Sequence, residues 1–169
     1  RFTFEPDSKK QRTIVAFAAG SGITPIMSIA KTILTQEPNS TFVLIYGNKT
    51  PKETIFFYEI LELHHNYLDR FKLQLVFSQS EEDNALFGRI EKSIVNFVIK
   101  NKYKHVRVDD FYICGPEQMI NTVKDVLKEN GVGDKHIHFE LFTTSKEDSK
   151  SIQAEGTTEI TVIVDEEET

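Results

Sequence analysis

Four short apolar runs, each followed by a helical pattern, constrain this chain more than any other feature. The runs are "TIVAFAA" (13–19), "TFVLIY" (41–46), "LQLVF" (73–77) and "FYIC" (111–114), and a fifth, "IHFELF" (137–142), closes the series. The first four are rich in β-branched or aromatic residues and bounded by turn residues, as fully buried parallel strands are. After the first run, Ile26, Ile29, Ala30, Ile33 and Leu34 recur at helical spacing. After the second, Lys52 to Leu68 predicts one helix with Ile55, Tyr58, Leu61 and Leu68 on its apolar side. The third is followed by a loop containing "SEEDN", then by Ile90, Ile94, Phe97 and Val98. The fourth leads to Ile120, Val123, Val126 and Leu127, a pattern that Gly131 ends. Strict alternation of strand and helix requires right-handed crossovers. The expected fold is therefore α/β: a doubly wound, five-stranded parallel sheet with helices on both faces.

That unit spans residues 1–142. From 143 to 156, "TTSKEDSKSIQAEG" has almost no core-forming residues and reads as a linker. "TTEITVIVDEEET" (157–169) then alternates Ile160, Val162 and Val164 on one face, like a half-buried strand. A lone strand belongs to another domain or adds to a sheet edge. The chain opens on Arg1 with no initiator methionine or signal pattern, and is expected to be cut from something longer. The net charge of −6 argues against non-specific nucleic-acid binding. No run approaches the roughly 18 apolar residues of a membrane span. Cys114 is the single cysteine, so an internal disulfide or a multi-cysteine metal site within this chain is excluded. A cytoplasmic protein with no membrane or nucleic-acid partner is the simplest expectation.

The first strand runs into Gly20-Ser21-Gly22-Ile23-Thr24-Pro25. A loop there, opening a helix, lies where open α/β sheets bind ligands. Its glycines let backbone approach a pyrophosphate, and the free N–H groups of the helix start face the anion. The spacing predicts Thr24 at the N-cap and Pro25 at the first helical position. The loop lacks the third glycine of the common dinucleotide fingerprint. It also lacks the acid that would hold a ribose hydroxyl after the second strand, where Asn48 and Lys49 stand instead. A tight turn that binds nothing would look similar. "YICGPEQM" (112–119) argues against that. It sets Cys114, Gly115 and Pro116 at the end of the fourth strand, with Pro116 expected at the first position of the next helix and Glu117 suited to its positive end. Two such turns at a switch point make a crevice.

"AAGSGITPI", "YGNKT", "VFSQ" and "YICGPEQM" followed by "HFELF" resemble, in order and spacing, the NAD(P)-binding domain of the ferredoxin–NADP reductase superfamily. Among its members the chain is most similar to the reductase components of multicomponent oxygenases, of the phenylacetyl-CoA oxygenase type. The resemblance implies an oxidoreductase of aromatic (phenylacetate) catabolism. NADH or NADPH binds in this domain, FAD in a domain before Arg1, and a [2Fe–2S] cluster in a plant-type ferredoxin domain whose first strand is 157–169. The partners implied are those two domains and an oxygenase component, and the piece alone is expected to be inactive. By resemblance, Gly20, Ser21, Gly22, Ile23, Thr24 and Pro25 hold the pyrophosphate. Cys114, with Gly115 and Pro116, sets the nicotinamide beside the flavin. Glu140 hydrogen-bonds within the site, and Phe142 covers the flavin where the nicotinamide must stack. For Cys114 and Phe142 the plainer alternative is a core residue.

One departure touches coenzyme choice. Plant-type members grip the NADP 2′-phosphate with a Ser-Arg pair after the third strand, and this chain has Ser78-Gln79. Lys49 could supply a point charge in place of the missing arginine fork. No metal site is expected: His64 and His65 are adjacent on a helix, and His136 and His138, which would share a strand face, have no evident third ligand. "SEEDN" and "DEEET" read as solvated acidic turns. The rival to a reductase domain is a non-catalytic doubly wound module, either a nucleotide-binding regulator or a flavodoxin-like interaction domain.

Overall fold

The computed structural model describes residues 2–141. Phe142, the linker 143–156 and the strand expected at 157–169 lie outside the described residues. Strands β1 (Thr13–Ala19), β2 (Thr41–Asn48), β3 (Phe71–Phe77), β4 (Ala85–Phe87), β5 (Asp110–Gly115) and β6 (Ile137–Leu141) form one sheet in the order β4-β3-β2-β1-β5-β6. All five pairings are parallel. The order reverses at β1, which pairs with β2 on one side and β5 on the other. That is the switch point at which such sheets bind ligands.

Helices α1 (Ile23–Gln36) and α2 (Phe57–Asn66) cover one face, and α3 (Lys92–Phe97) and α4 (Glu117–Glu129) the other. The alternation of β1 explains both cores. Ile14, Ala16 and Ala18 pack with Ile26, Ala30 and Ile60, whereas Val15 and Phe17 pack with Val95, Ile120 and Val123. Gly131, at φ 82°, ends α4 as the sequence predicts. The Gly131 N–H donates to the Lys128 carbonyl and the Val132 N–H to that of Leu127, the reciprocal pair of a Schellman cap.

Four expectations are corrected. The sheet has six strands rather than five: β4 is a half-exposed edge whose apolar run, Ala85-Leu86-Phe87, is only three residues long and too short to read as a strand. The helix expected over Lys52–Leu68 is broken into a turn, Pro51–Glu53, and α2. Between them Phe56 takes a left-handed conformation, φ 58°, which resets the helical phase. Ile60 is therefore the buried residue, and Ile55, Tyr58, Leu61 and Leu68 are exposed. Gly22 is already helical (φ −60°, ψ −11°), so α1 begins at Ile23 with no side-chain cap. Thr24 and Pro25 fall inside the first turn, where proline is still tolerated because those N–H groups have no intrahelical partner. Pro116 caps α4 from an extended conformation, one position before the expected one, and Glu117 opens the helix.

Candidate coenzyme site

Two loops meet at the switch point because only glycine permits it. A Cβ on Gly22 would lie 2.5 Å from the Cys114 carbonyl carbon and 2.7 Å from the Gly115 nitrogen. The turn after β1 thus rests directly on the backbone of the turn after β5. Gly20 holds φ 53°, a conformation in which other residues are strained. Above this junction opens a cavity of about 770 Å³, within the roughly 300–1,000 Å³ usual for ligand sites. It is lined by Gly20, Ser21, Asn48, Lys49, Ser78, Gly115 and Pro116 among the residues expected from the sequence. Gly22 and Ile23 are buried beneath it, and Thr24 is exposed outside it. Gln79 does not line it; its N–H donates to the Lys49 carbonyl at 2.9 Å and its side chain is exposed. Asn48 Nδ2 is buried and, though its side chain approaches the Tyr46 hydroxyl, it makes no well-formed hydrogen bond among the described residues. Such an orphan donor at a cavity wall fits a ligand that brings an acceptor. Glycine-bared backbone, a free amide and flanking cations suit a pyrophosphate-linked dinucleotide.

Cys114 is fully buried below the cavity rather than in its wall. Its register partner across β5 and β6 is Glu140. Burial, and then the Glu140 charge, push the Cys114 thiol from its ordinary value of 9.0 up to about 11. The thiol is neutral at physiological pH, so it is a small polarizable contact and not a nucleophile. Glu140 accepts a hydrogen bond from the Phe2 N–H at 3.1 Å. The strap before β1 therefore reaches the expected nicotinamide side.

The sequence did not point to Arg89, Glu53 or Glu91, which also line the cavity. Arg89 arrives from the connection after β4, a strand whose three apolar residues are too few to announce it. It makes no ion pair among the described residues. Lys49, in contrast, lies 3.7 Å from Glu53. The Glu53 carboxylate accepts from the Thr50 hydroxyl, and that hydroxyl accepts from the Glu53 N–H: an N-cap with half of a capping box, which its Thr-x-x-Glu spacing could have announced. His136 precedes β6 in a turn instead of sharing its face with His138. Both histidines meet Asp110, at 3.6 and 2.9 Å. Among the described residues no cluster is arranged to hold a metal ion.

The family model for the oxidoreductase NAD-binding domain matches residues 17–125. The chain belongs to that family. It is thus a nucleotide-binding domain of the ferredoxin–NADP reductase superfamily, as the motifs imply. The 1,2-phenylacetyl-CoA epoxidase of Escherichia coli (strain K12) has a component that is 38% identical over 144 residues, 85% of this chain and 40% of that one. The ferredoxin reductase component of 3-ketosteroid-9-alpha-monooxygenase from Mycolicibacterium smegmatis is 33% identical over 133 residues, 78% of this chain and 34% of that one. Among solved structures, the CS-b5R domains of human Ncb5or in the NAD+ form share the fold at a TM-score of 0.70 and 22% identity, over 82% of this chain and 39% of that one. This NAD-binding domain spans about 40% or less of the length of the two curated relatives.

Proposed function

We propose that this domain binds NADH or NADPH across the β1–β5 switch point and serves as the electron-entry domain of a flavin- and iron–sulfur-dependent reductase that feeds an oxygenase. One observation carries the reading: the Gly20–Gly22 turn rests on the Cys114–Gly115 backbone, directly under a dinucleotide-sized cavity. The pyrophosphate lies on the Gly20–Gly22 turn. The nicotinamide extends toward Gly115, above Cys114, and the adenosine extends toward Lys49, Ser78 and Arg89. When bound, NAD(P)H supplies a hydride, with its electron pair, from nicotinamide C4 to N5 of FAD. The chain's own work is to orient and to exclude water. The neutral Cys114 thiol lets a flat ring approach, and Glu140 lends a fixed acceptor at the β6 edge. By the superfamily resemblance, Phe142 is the flavin cover, and 143–156 links this domain to a [2Fe–2S] domain that begins with the strand 157–169. An FAD domain preceding residue 1 and an oxygenase component are the implied partners, and a phenylacetyl-CoA-type oxygenase is the one that the relative 38% identical suggests. Two observations support a cytoplasmic location. The single cysteine is free and buried, and among the described residues no helix is long and apolar enough to cross a membrane.

Titrating the isotopically labelled chain with NADH and NADPH tests the site. Amide resonances of Gly20–Ile23 and Gly115 are expected to move together with saturation. Shifts confined to other surfaces, or no saturable binding, would favour a non-catalytic module instead.

A further inference from the structure

Tyr46 is fully buried near the end of β2 and is the largest side chain so enclosed. A buried phenol needs a hydrogen-bond partner. Its single hydroxyl proton is shared between the Gly20 carbonyl at 3.1 Å and the Ile55 carbonyl at 3.3 Å, the shorter contact being to Gly20. Burial pushes its ionisation above the ordinary value, so the proton is present to donate. The two acceptors belong to different segments. Gly20 lies in the turn after β1 and lines the cavity. Ile55 lies between β2 and α2, on the segment that sends Lys49 and Glu53 to the same cavity. Each acceptor adjoins or occupies a left-handed position, Gly20 itself at φ 53° and Phe56 at φ 58°. Gly20 takes this conformation freely, but at Phe56, a non-glycine residue, it is strained and persists only where its surroundings fix it.

We infer that Tyr46 is a positioning residue that aims the Ser21 N–H into the cavity by holding the Gly20 carbonyl inward. The reason is the planarity of the peptide bond. In a trans peptide, the carbonyl of one residue and the N–H of the next point in opposite directions. The Gly20 carbonyl is drawn into the protein by the Tyr46 hydroxyl and by the Ile23 N–H. The Ser21 N–H therefore faces away from that interior, toward the cavity that Gly20 and Ser21 line. Through the Ile55 carbonyl the same hydroxyl ties this donor to the adenosine-side wall. The inference rests on the proposed coenzyme site and adds a residue that does not itself line it.

The test compares ADP-ribose, which carries the pyrophosphate, with adenosine, which does not. Tyr46→Phe removes only the hydroxyl. In the 169-residue chain the variant is expected to bind ADP-ribose about tenfold more weakly, the scale of one hydrogen bond from the Ser21 N–H to the ligand being lost when that N–H is no longer aimed, and adenosine within about twofold of the original chain. In the unsubstituted chain, ADP-ribose is expected to shift the Ser21 amide proton downfield, and adenosine to leave it in place. A Tyr46→Phe variant that melts lower yet binds ADP-ribose normally would reduce the hydroxyl to a structural role and overturn the inference alone. So would an unmoved Ser21 amide in the unsubstituted chain during saturable ADP-ribose binding, a result that needs no variant to fold. Failure of the unsubstituted chain to bind ADP-ribose at all would overturn both the inference and the proposed site.

Discussion

A methyl group on Gly22 would enter the peptide between Cys114 and Gly115, whereas one on Gly20 would meet nothing within 4 Å. The two glycines of one turn therefore fail differently. Gly22→Ala must push two strand ends apart, and is expected to cost about 3 kcal/mol or more, as severe overpacking does. Gly20→Ala carries only the left-handed backbone cost of about 1–2 kcal/mol. Urea unfolding followed by circular dichroism measures both, and equal losses would contradict the close approach. Cys114 gives a second prediction, in pH. Its thiol ionises about two units higher in the folded chain than its ordinary value of 9.0. The folded state holds the proton more tightly, so this contribution is fully present below pH 9 and is lost as pH rises from 9 to 11. The stability gap between the unsubstituted chain and Cys114→Ala is expected to narrow over that interval, by an amount on the order of 2 kcal/mol. A gap independent of pH would mean that Cys114 is better solvated than its burial indicates.

Among the elements, the C-terminus of α1 is tied to the strap before β1 and to the start of β2 through one carboxylate. Glu37 is fully buried and accepts from Arg12 Nη2 at 2.6 Å, the Ser40 hydroxyl at 2.8 Å and the Asp7 N–H at 3.1 Å. Arg70 adds bonds to the Leu34 and Glu37 carbonyls at the helix end. Burial alone would raise the Glu37 carboxyl, but the bonds from Arg12, Ser40 and Asp7 outweigh it and hold the group below its ordinary value of 4.5. Glu37→Gln leaves the Arg12 charge half-enclosed, and is expected to cost about 3 kcal/mol at neutral pH. Because the folded value is the lower one, the stabilisation is present above pH 4.5 and is lost as pH falls through the folded value. Thermal melts between pH 7 and 3 should bring the two chains together on the acid side; parallel curves would refute the role of the charge. The strands of this fold were legible because central parallel strands must be apolar on both faces, as β1 and β2 are. The edge β4 has no such obligation, and its three residues, Ala85-Leu86-Phe87, are too short a run to stand out. The break before α2 was hidden because the left-handed turn is made by Phe56, and not by a glycine that would have announced it. The glycine turn and the Cys-Gly-Pro turn were readable as local chemistry. Arg89 and Tyr46 were not, since each acquires its place only through strand order and packing.

In the molecule as a whole, charge is distributed unevenly between Lys49 and Arg89, two cations that line the cavity, and the proposed function makes coenzyme choice depend on that. Lys49, the only cation expected there from sequence, shares its charge with Glu53. Arg89 has no acidic partner among the described residues, and its planar fork matches a phosphate in a way a lysine cannot. The geometry thus returns to this cavity the guanidinium that Gln79 appeared to remove, from a different strand connection. Under the proposed function, a reductase containing this domain should use both coenzymes, with NADPH depending on Arg89. Arg89→Ala is expected to raise the KM for NADPH about tenfold, the scale of one charge-assisted contact, and that for NADH less than about threefold. Lys49→Ala should change either KM by less than about threefold, because the exposed ammonium is directed to Glu53 and not to the phosphate, and solvent screens both charges. Steady-state kinetics with each coenzyme decides the matter, at low ionic strength where these exposed charges are least screened. If Arg89→Ala weakened both coenzymes equally, the arginine would be reading the pyrophosphate they share. If only Lys49→Ala discriminated against NADPH, the Glu53 carboxylate would not be neutralising its neighbour.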